Sequence, residues 1–323
     1  MTDKSGPHIV IFCDLEGASG VQDPSKISAR CEQYEIFITE DVNAAIRGLR
    51  KGGAEKIYVV DTHGAGTNIR PDLLDKSAEL IPPPMEMRKV LFCCPPRIPE
   101  SMEKEMAAKV DAVVRLGAHA RRQTRGFLAH TMVSYPPTRA WVNGMEIGET
   151  GLYVLWSGSH KIPVILFAGD DVAMEEAASL VPNARRITTK KSLSRSRCEL
   201  VPPDTVRNSI EKEALEAVRR IKEIPPYRSP AVYRIEMSFG SKDHATACRM
   251  IPKVEVRNET VITYEAESFP EAKRFIDTTI SVARLFETLE LVSALRKSDK
   301  ILETIGQWQN QRRKELGADW ESE

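Results

Sequence analysis

Asp14 and Glu16 stand two residues apart, directly after the apolar run Ile9-Val10-Ile11-Phe12-Cys13 and just before Gly17. Asp61 and His63 repeat that spacing after Ile57-Tyr58-Val59-Val60. His119 follows an apolar run ending at Leu116, and Asp170 and Asp171 follow Pro163 to Ala168. Glu149 opens a helical stretch, and His130 lies inside Phe127 to Val133. Mixed carboxylate and imidazole donors suit Zn²⁺, with Mn²⁺ and Co²⁺ accepting the same set. Two divalent ions about 3.5–4 Å apart, sharing one carboxylate, are the usual arrangement for activating water. By themselves Asp14 and Glu16 read as a helix cap and a solvated loop acid, and a lone histidine after a strand reads as packing or capping. Three of the six histidines in or just after strands, among carboxylates, are harder to read that way.

The positions of these residues follow from the elements that carry them. Ile9 to Cys13 reads as a buried central strand, since it is apolar throughout and bounded by Pro7 and Gly17. Side chains alternate along a strand, so Asp14 and Glu16 point the same way at its end. Gln33 to Lys51 carries Ile36, Ile38, Val42, Ala45, Ile46 and Leu49 near helical spacing and stops at Gly52-Gly53. The next strand is Lys56 to Asp61, so strand, helix and strand form a βαβ unit with parallel strands. Open α/β sheets bind ligands at the rim where the strands end, which is where both acid pairs fall.

Further along, Pro82 to Ala107 reads as an elaborated connection and Val110 to Leu116 as a third strand. Phe127 to Val133 is expected as a fourth strand with His130 in its middle. Asn143-Gly144 signals a hairpin. A helix is expected from Gly148-Glu149 to about Ser159, a strand over Pro163 to Ala168, a helix over Asp171 to Leu180 and a short strand over Arg185 to Thr189. Beyond Cys198 the pattern changes: a charged helix over Pro202 to Ile221, short strands between Ala231 and Glu265, then helices over Pro270 to Leu295 and Ile301 to Leu316. The fold class expected is α/β, with a mostly parallel sheet and flanking helices in residues 1–200. Residues 201–323 are expected as a smaller α+β and helical domain with a role in oligomerisation.

The chain has 323 residues, with 46 Lys+Arg against 46 Asp+Glu, so no global basic field favours nucleic acid or an anionic membrane. No apolar run approaches the roughly 18 residues of a membrane span. The N-terminus Met1 to Pro7 is polar and lacks the apolar core of a signal peptide. The six cysteines form no CxxC pair, and adjacent Cys93-Cys94 suits no ordinary disulfide, which points to reduced thiols in the cytoplasm. Phosphate-loop and serine-elbow motifs are absent.

Six pieces occur in one order: Asp14-Leu15-Glu16-Gly17, Asp61-Thr62-His63, Gly117-Ala118-His119-Ala120, Ala129-His130-Thr131-Met132, Asn143-Gly144 with Gly148-Glu149-Thr150-Gly151-Leu152, and Ala168-Gly169-Asp170-Asp171. Together they resemble the D-aminopeptidase family of zinc metallopeptidases associated with dipeptide utilisation, closely over about residues 8–200 and more loosely to about 290. The resemblance implies two zinc ions per subunit, with Asp14, Glu16, His63, His119 and Glu149 at the metal positions and His130 at the catalytic histidine. It also implies a two-domain α/β subunit in a large ring, commonly a decamer. The chain departs from the family in a longer connection through Pro82 to Pro99 and a charged helical tail after about Ser298. A further departure is the arginines at 121, 122 and 125, between His119 and His130.

The function expected is a metal-dependent aminopeptidase or amidase that releases N-terminal residues, D-amino acids among them, from short peptides or amides. Water activated at the metal site would attack the amide carbonyl, and His130 would pass a proton to the leaving amine. Asp170 is a candidate partner for the substrate amine. Two alternatives stand beside this reading: a non-catalytic oligomeric family member, and a metal-dependent phosphoesterase drawing on Arg121, Arg122 and Arg125.

Overall fold

The computed structural model describes residues 6–27, 31–83, 100–136, 138–295 and 298–315. Strand β1 (His8–Cys13), helix α1 (Glu32–Lys51) and strand β2 (Lys56–Asp61) form the expected βαβ unit, with β1 and β2 parallel. β1 is paired on its other side, also in parallel, with β4 (Ala112–Ala118). The full sheet runs β3 (Glu79–Leu80), β2, β1, β4, β7 (Val164–Asp170), β8 (Arg185–Ser194), β9 (Arg197–Leu200), and only the β8–β9 pair is antiparallel.

The alternation along β1 explains why it sits at the centre. Ile9, Ile11 and Cys13 pack into one core with Ile38, Val42 and Ile46 of α1. Val10 and Phe12 pack into the other core, where Phe12 meets the Trp156 ring edge-on at 5.2 Å. A strand buried on both faces favours apolar side chains throughout, and Ile9, Val10, Ile11 and Phe12 each contribute roughly 1.5–3 kcal/mol on leaving water. Acidic Glu32 and Glu35 in the first turn of α1, and basic Arg50 and Lys51 in its last, suit the helix dipole.

A second, antiparallel sheet runs β11 (Glu255–Asn258), β12 (Val261–Ala266), β10 (Tyr233–Phe239), β5 (Thr138–Val142), β6 (Met145–Ile147). Asn143 and Gly144 turn β5 into β6 with positive φ at both, as the Asn-Gly signal implies. The hairpin at 138–147 thus joins strands from 233–266. Helix α5 (Pro203–Arg219) packs on α1, while α3 (Glu149–Ser159) and α4 (Asp171–Leu180) lie together on the other face. The short α6 (Lys242–Ala247) and the long α7 (Phe269–Leu295) cover the second sheet, and α8 (Asp299–Glu315) follows.

Two local expectations change. Phe127 to Val133 is a loop rather than a strand, with positive φ at Leu128 and Met132 and a single isolated bridge between Thr131 and Val133. Left-handed residues break the pleat, so an apolar run alone cannot hold it. The short strand expected over Arg185 to Thr189 continues to Ser194 because β9 pairs with its second half. Within the connection expected at Pro82 to Ala107, residues 84–99, the Cys93-Cys94 pair among them, lie outside the described residues, and residues 100–107 belong to helix α2 (Glu100–Lys109).

Candidate metal centre

The register of the parallel sheet sets the site. Cys13 pairs with Asp61 on one side and with Leu116 on the other, so β1 and β2 end level and β4 runs on past them to Ala118. Asp14, His63 and His119 therefore emerge at one rim. Two glycines let the strand ends close together. A Cβ on Gly117, whose φ is +69, would lie 1.8 Å from the Asp14 carbonyl oxygen. One on Gly17 would lie 1.9 Å from the Ala118 carbonyl oxygen. Backbone bonds use that approach: Asp14 N–H donates to Leu116 at 2.9 Å and Gly17 N–H to Gly117 at 3.0 Å. Glu149 enters from the first residue of α3, and His130 from the loop after His119.

All six expected site residues converge. His63 Nδ1 lies 3.3 Å from Asp14 Oδ1 and 3.1 Å from Glu16 Oε2. His119 Nε2 lies 3.8 Å from Asp14 Oδ2 and 3.2 Å from Glu149 Oε1. His130 Nε2 lies 3.9 Å from Glu16 Oε1 and 3.7 Å from Glu149 Oε1, and its ring stacks on that of His119 at 4.1 Å. Three donor triplets, each within 4.8 Å, result: Asp14 with Glu16 and His63, Asp14 with His119 and Glu149, and Glu16 with His119 and His130. Asp14 belongs to the first two, offering a different oxygen to each. Asp14, Glu16 and Glu149 are all buried. Buried carboxylates and imidazoles brought this close are a donor set that fits divalent zinc.

Backbone carbonyls orient two of the imidazoles. His119 Nδ1 faces the Ala120 carbonyl oxygen at 3.1 Å, and His130 Nδ1 faces that of Leu128 at 2.8 Å. In the neutral ring each Nδ1–H donates there, which leaves the Nε2 lone pair facing the same space as the carboxylate oxygens, where a cation can take both.

The charges of the cluster shift one another. Burial alone raises the Asp14 carboxyl, but Arg115 and His63 outweigh it and hold it well below the usual carboxylate range. Glu16 is lowered despite burial, mainly by His63. Burial disfavours the charged His119 ring, yet Glu149 and the other acids push it up to about 10. His63 rises in the same way, while burial and the charge of His119 push His130 down.

Three residues that sequence reasoning passed over support this arrangement. Arg115, inside the apolar β4, donates Nη2–H to Asp14 Oδ2 at 2.6 Å and Nη1–H to Thr62 Oγ1 at 2.8 Å, and sits 4.3 Å over the Tyr153 ring. Lys190, fully buried, donates to the Glu16 carbonyl oxygen at 2.7 Å and to that of Val21 at 2.6 Å. Thr62 donates to the Cys13 carbonyl oxygen at 2.7 Å. For Arg115 the available signal was a permanent charge inside a strand buried on both faces, which must be paired.

Other acids and arginines turn away. Asp61 accepts from the backbone N–H groups of His63, Asn68 and Ile69, so it shapes the turn after β2. Asp170 caps α4 by accepting from Ala173 N–H and also takes Ala120 N–H, so each of its oxygens accepts a backbone hydrogen bond. Arg121 pairs with Glu146, and Arg125 with Asp171 and Glu175, outside the cavity. The phosphoesterase alternative therefore loses two of its three arginines. The cavity over the cluster measures about 350 Å³ and is walled by residues such as Leu128, Met132, Arg195 and Arg284.

The family model described as D-aminopeptidase matches residues 8–278. A D-aminopeptidase of Bacillus subtilis (strain 168) is 26% identical over 263 residues, covering 80% of this chain and 91% of that protein. Among solved structures, the chain resembles the Zn-dependent D-aminopeptidase DppA from Bacillus subtilis, described as a self-compartmentalizing protease. The TM-score is 0.75 at 23% identity, covering 85% of this chain and 98% of the other. That likeness establishes the shared fold.

Proposed function

This chain belongs to the D-aminopeptidase family, and from that premise we propose that it is a zinc-dependent aminopeptidase releasing N-terminal D-residues from short peptides or amides. The observation that carries the proposal is the pair of donor triplets sharing Asp14. Asp14, Glu16 and His63 would hold one ion, and Asp14, His119 and Glu149 the second. Ions held there supply Lewis acidity toward water and an amide carbonyl.

The remaining steps belong to the chain. Arg115 holds Asp14 in place between the two triplets. His130 is neutral, since burial lowers its pKa, and its Nε2 faces the cluster with Nδ1 tied to Leu128. In this reading His130 would accept a proton and return it to the leaving amine, because a neutral imidazole can do both near pH 7. Leu128, Met132 and Val133 line the cavity and limit water around the reacting amide.

The assembly is proposed to be a homo-oligomeric ring, with ten copies as the specific expectation and the cytoplasm as its location. Supporting observations are the exposed apolar side chains of α7 and α8 and four described cysteines that are all free. No described helix is long and apolar enough to cross a membrane.

Metal analysis beside a panel of D- and L-amino-acid amides, with p-nitrophenyl phosphate as a further arm, tests the reading. Two zinc ions per chain, D-selective amide hydrolysis, loss with chelator and return with Zn²⁺, Mn²⁺ or Co²⁺ are expected. Full activity after metal removal, or phosphate ester cleavage in place of amide cleavage, would end it.

A further inference from the structure

The cavity over the cluster carries two arginines that the proposed ligand set does not use, Arg195 and Arg284. Arg195 lies on the tight turn between β8 and β9, and this turn is fastened to the His130 loop. Leu128 N–H donates to the Arg195 carbonyl oxygen at 2.8 Å, and Phe127 N–H to Ser192 Oγ at 3.0 Å. Ser192 N–H in turn donates to Asp171 Oδ1 at 2.8 Å. The hairpin tip is thus held by its backbone to the loop that carries His130, while the Arg195 side chain stays exposed.

Arg122, near the start of the same loop, is close enough that its pKa is lowered, first by burial and then by the charges of Arg195 and Arg139. Arg139 is neutralised by a two-pronged pair with Glu146, at 2.7 and 2.9 Å. Among the described residues, Arg122 and Arg195 have no carboxylate partner, whereas Arg121 and Arg125 do. Like charges held together without a counter-ion repel, and an anion placed between them removes that cost. The planar guanidinium also matches a carboxylate with two parallel hydrogen bonds.

A short peptide whose scissile amide lies at the Asp14 cluster carries one obligatory anion, its C-terminal carboxylate. We propose that Arg195, backed by Arg122 and sharing the cavity wall with Arg284, is the subsite for that carboxylate. The substrates selected are then short peptides with a free C-terminus, in preference to amides and to chains whose C-terminus extends beyond the cavity. This inference rests on the aminopeptidase reading above, and adds to it the end of the substrate that the cluster does not touch.

The test compares the zinc-loaded parent with Arg195→Gln and Arg195→Lys on D-alanylglycine and D-alanylglycinamide, which differ only at the C-terminus. The parent is expected to prefer the acid. Arg195→Gln should lower the acid-to-amide ratio of kcat/KM by about tenfold to a hundredfold, the range for losing a hydrogen bond to a charged group. Arg195→Lys should fall between, keeping the charge without the fork. An unchanged ratio in Arg195→Gln, or a parent without acid preference, overturns the inference and leaves the aminopeptidase reading standing. If the parent cleaves neither peptide, that reading falls, and calorimetric binding of the same two peptides decides the subsite. An acid preference that Arg195→Gln abolishes supports the subsite, and equal binding of acid and amide overturns it.

Discussion

Arg115 Nη2 donates to Asp14 Oδ2 at 2.6 Å in the interior of the sheet, where the arginine is wholly inaccessible and the aspartate nearly so. Asp14 is the carboxylate common to two donor triplets, so the oxygens offered to each are oriented by a fixed positive charge. The same guanidinium reaches Thr62 on the neighbouring strand end. One buried side chain therefore ties the ends of β1, β2 and β4 into a single rigid rim.

Replacing Arg115 by Met leaves Asp14 buried without its partner. Breaking a buried pair in this way costs about 3–5 kcal/mol. Urea denaturation of Arg115→Met should show a loss of that size, with zinc stoichiometry reduced. Arg115→Lys should lose less, since it keeps the charge but not the two-strand fork. A stability change under about 1 kcal/mol would mean that Asp14 is oriented by other groups.

His130→Ala should lower kcat by about 10²–10⁴, the usual contribution of a general acid or base. Zinc content should match the parent, because the two triplets sharing Asp14 remain. His130 also forms a triplet with Glu16 and His119, so metal analysis is the discriminating measurement. Zinc lost together with activity would make it a ligand, and turnover within a few-fold of the parent would make it structural.

Metal-free protein should lose stability as pH rises from 6.5 to 8. Burial lowers the His119 pKa, but Glu149 and its neighbours raise it from 6.5 to about 10 in the folded chain, and His63 moves in the same direction. Between those values the folded chain holds protons that the unfolded chain has released. The contribution is complete below pH 6.5 and falls as pH rises, by up to about 1.4 kcal/mol per pH unit for each proton. Lys190 works in the opposite sense but titrates only from about 8 upward, since burial lowers it to that value. Chelator-treated protein should show Tm falling across this window, and zinc-loaded protein a shallower fall, because a ligating imidazole has already lost its proton. A level or rising Tm without metal would contradict the imidazolium–carboxylate pairs.

Leu285, Leu289, Leu291 and Leu295 of α7, with Leu302 and Trp308 of α8, are exposed on the chain. Under the proposed assembly, these apolar side chains would form the contact surface between copies. Light scattering at micromolar concentration should give the mass of an oligomer, and Leu289→Glu with Trp308→Glu should reduce it. A monomeric parent would remove the ring from the proposed function.

The sequence by itself determined the elements and the donors. The uniform apolar run at Ile9 to Cys13, the helical spacing from Gln33 and the Asn143-Gly144 turn are local signals, and the structure forms the strand, helix and hairpin there. Composition and period placed Asp14, Glu16, Asp61, His63, His119, Asp170 and Asp171 at strand ends and Glu149 at a helix start, and the family resemblance singled out Asp14, Glu16, His63, His119 and Glu149 among them. Their convergence needed the parallel register, which brings three strand ends from distant parts of the chain to one rim. Phe127 to Val133 was apolar enough for a strand, but positive φ at Leu128 and Met132 depends on what the loop packs against. Arg115, Lys190 and Arg195 are ordinary letters in the sequence. Only the tertiary structure placed the first beside Asp14, the second against the Glu16 backbone and the third on the cavity wall, because contacts between residues far apart in the chain have no period along it.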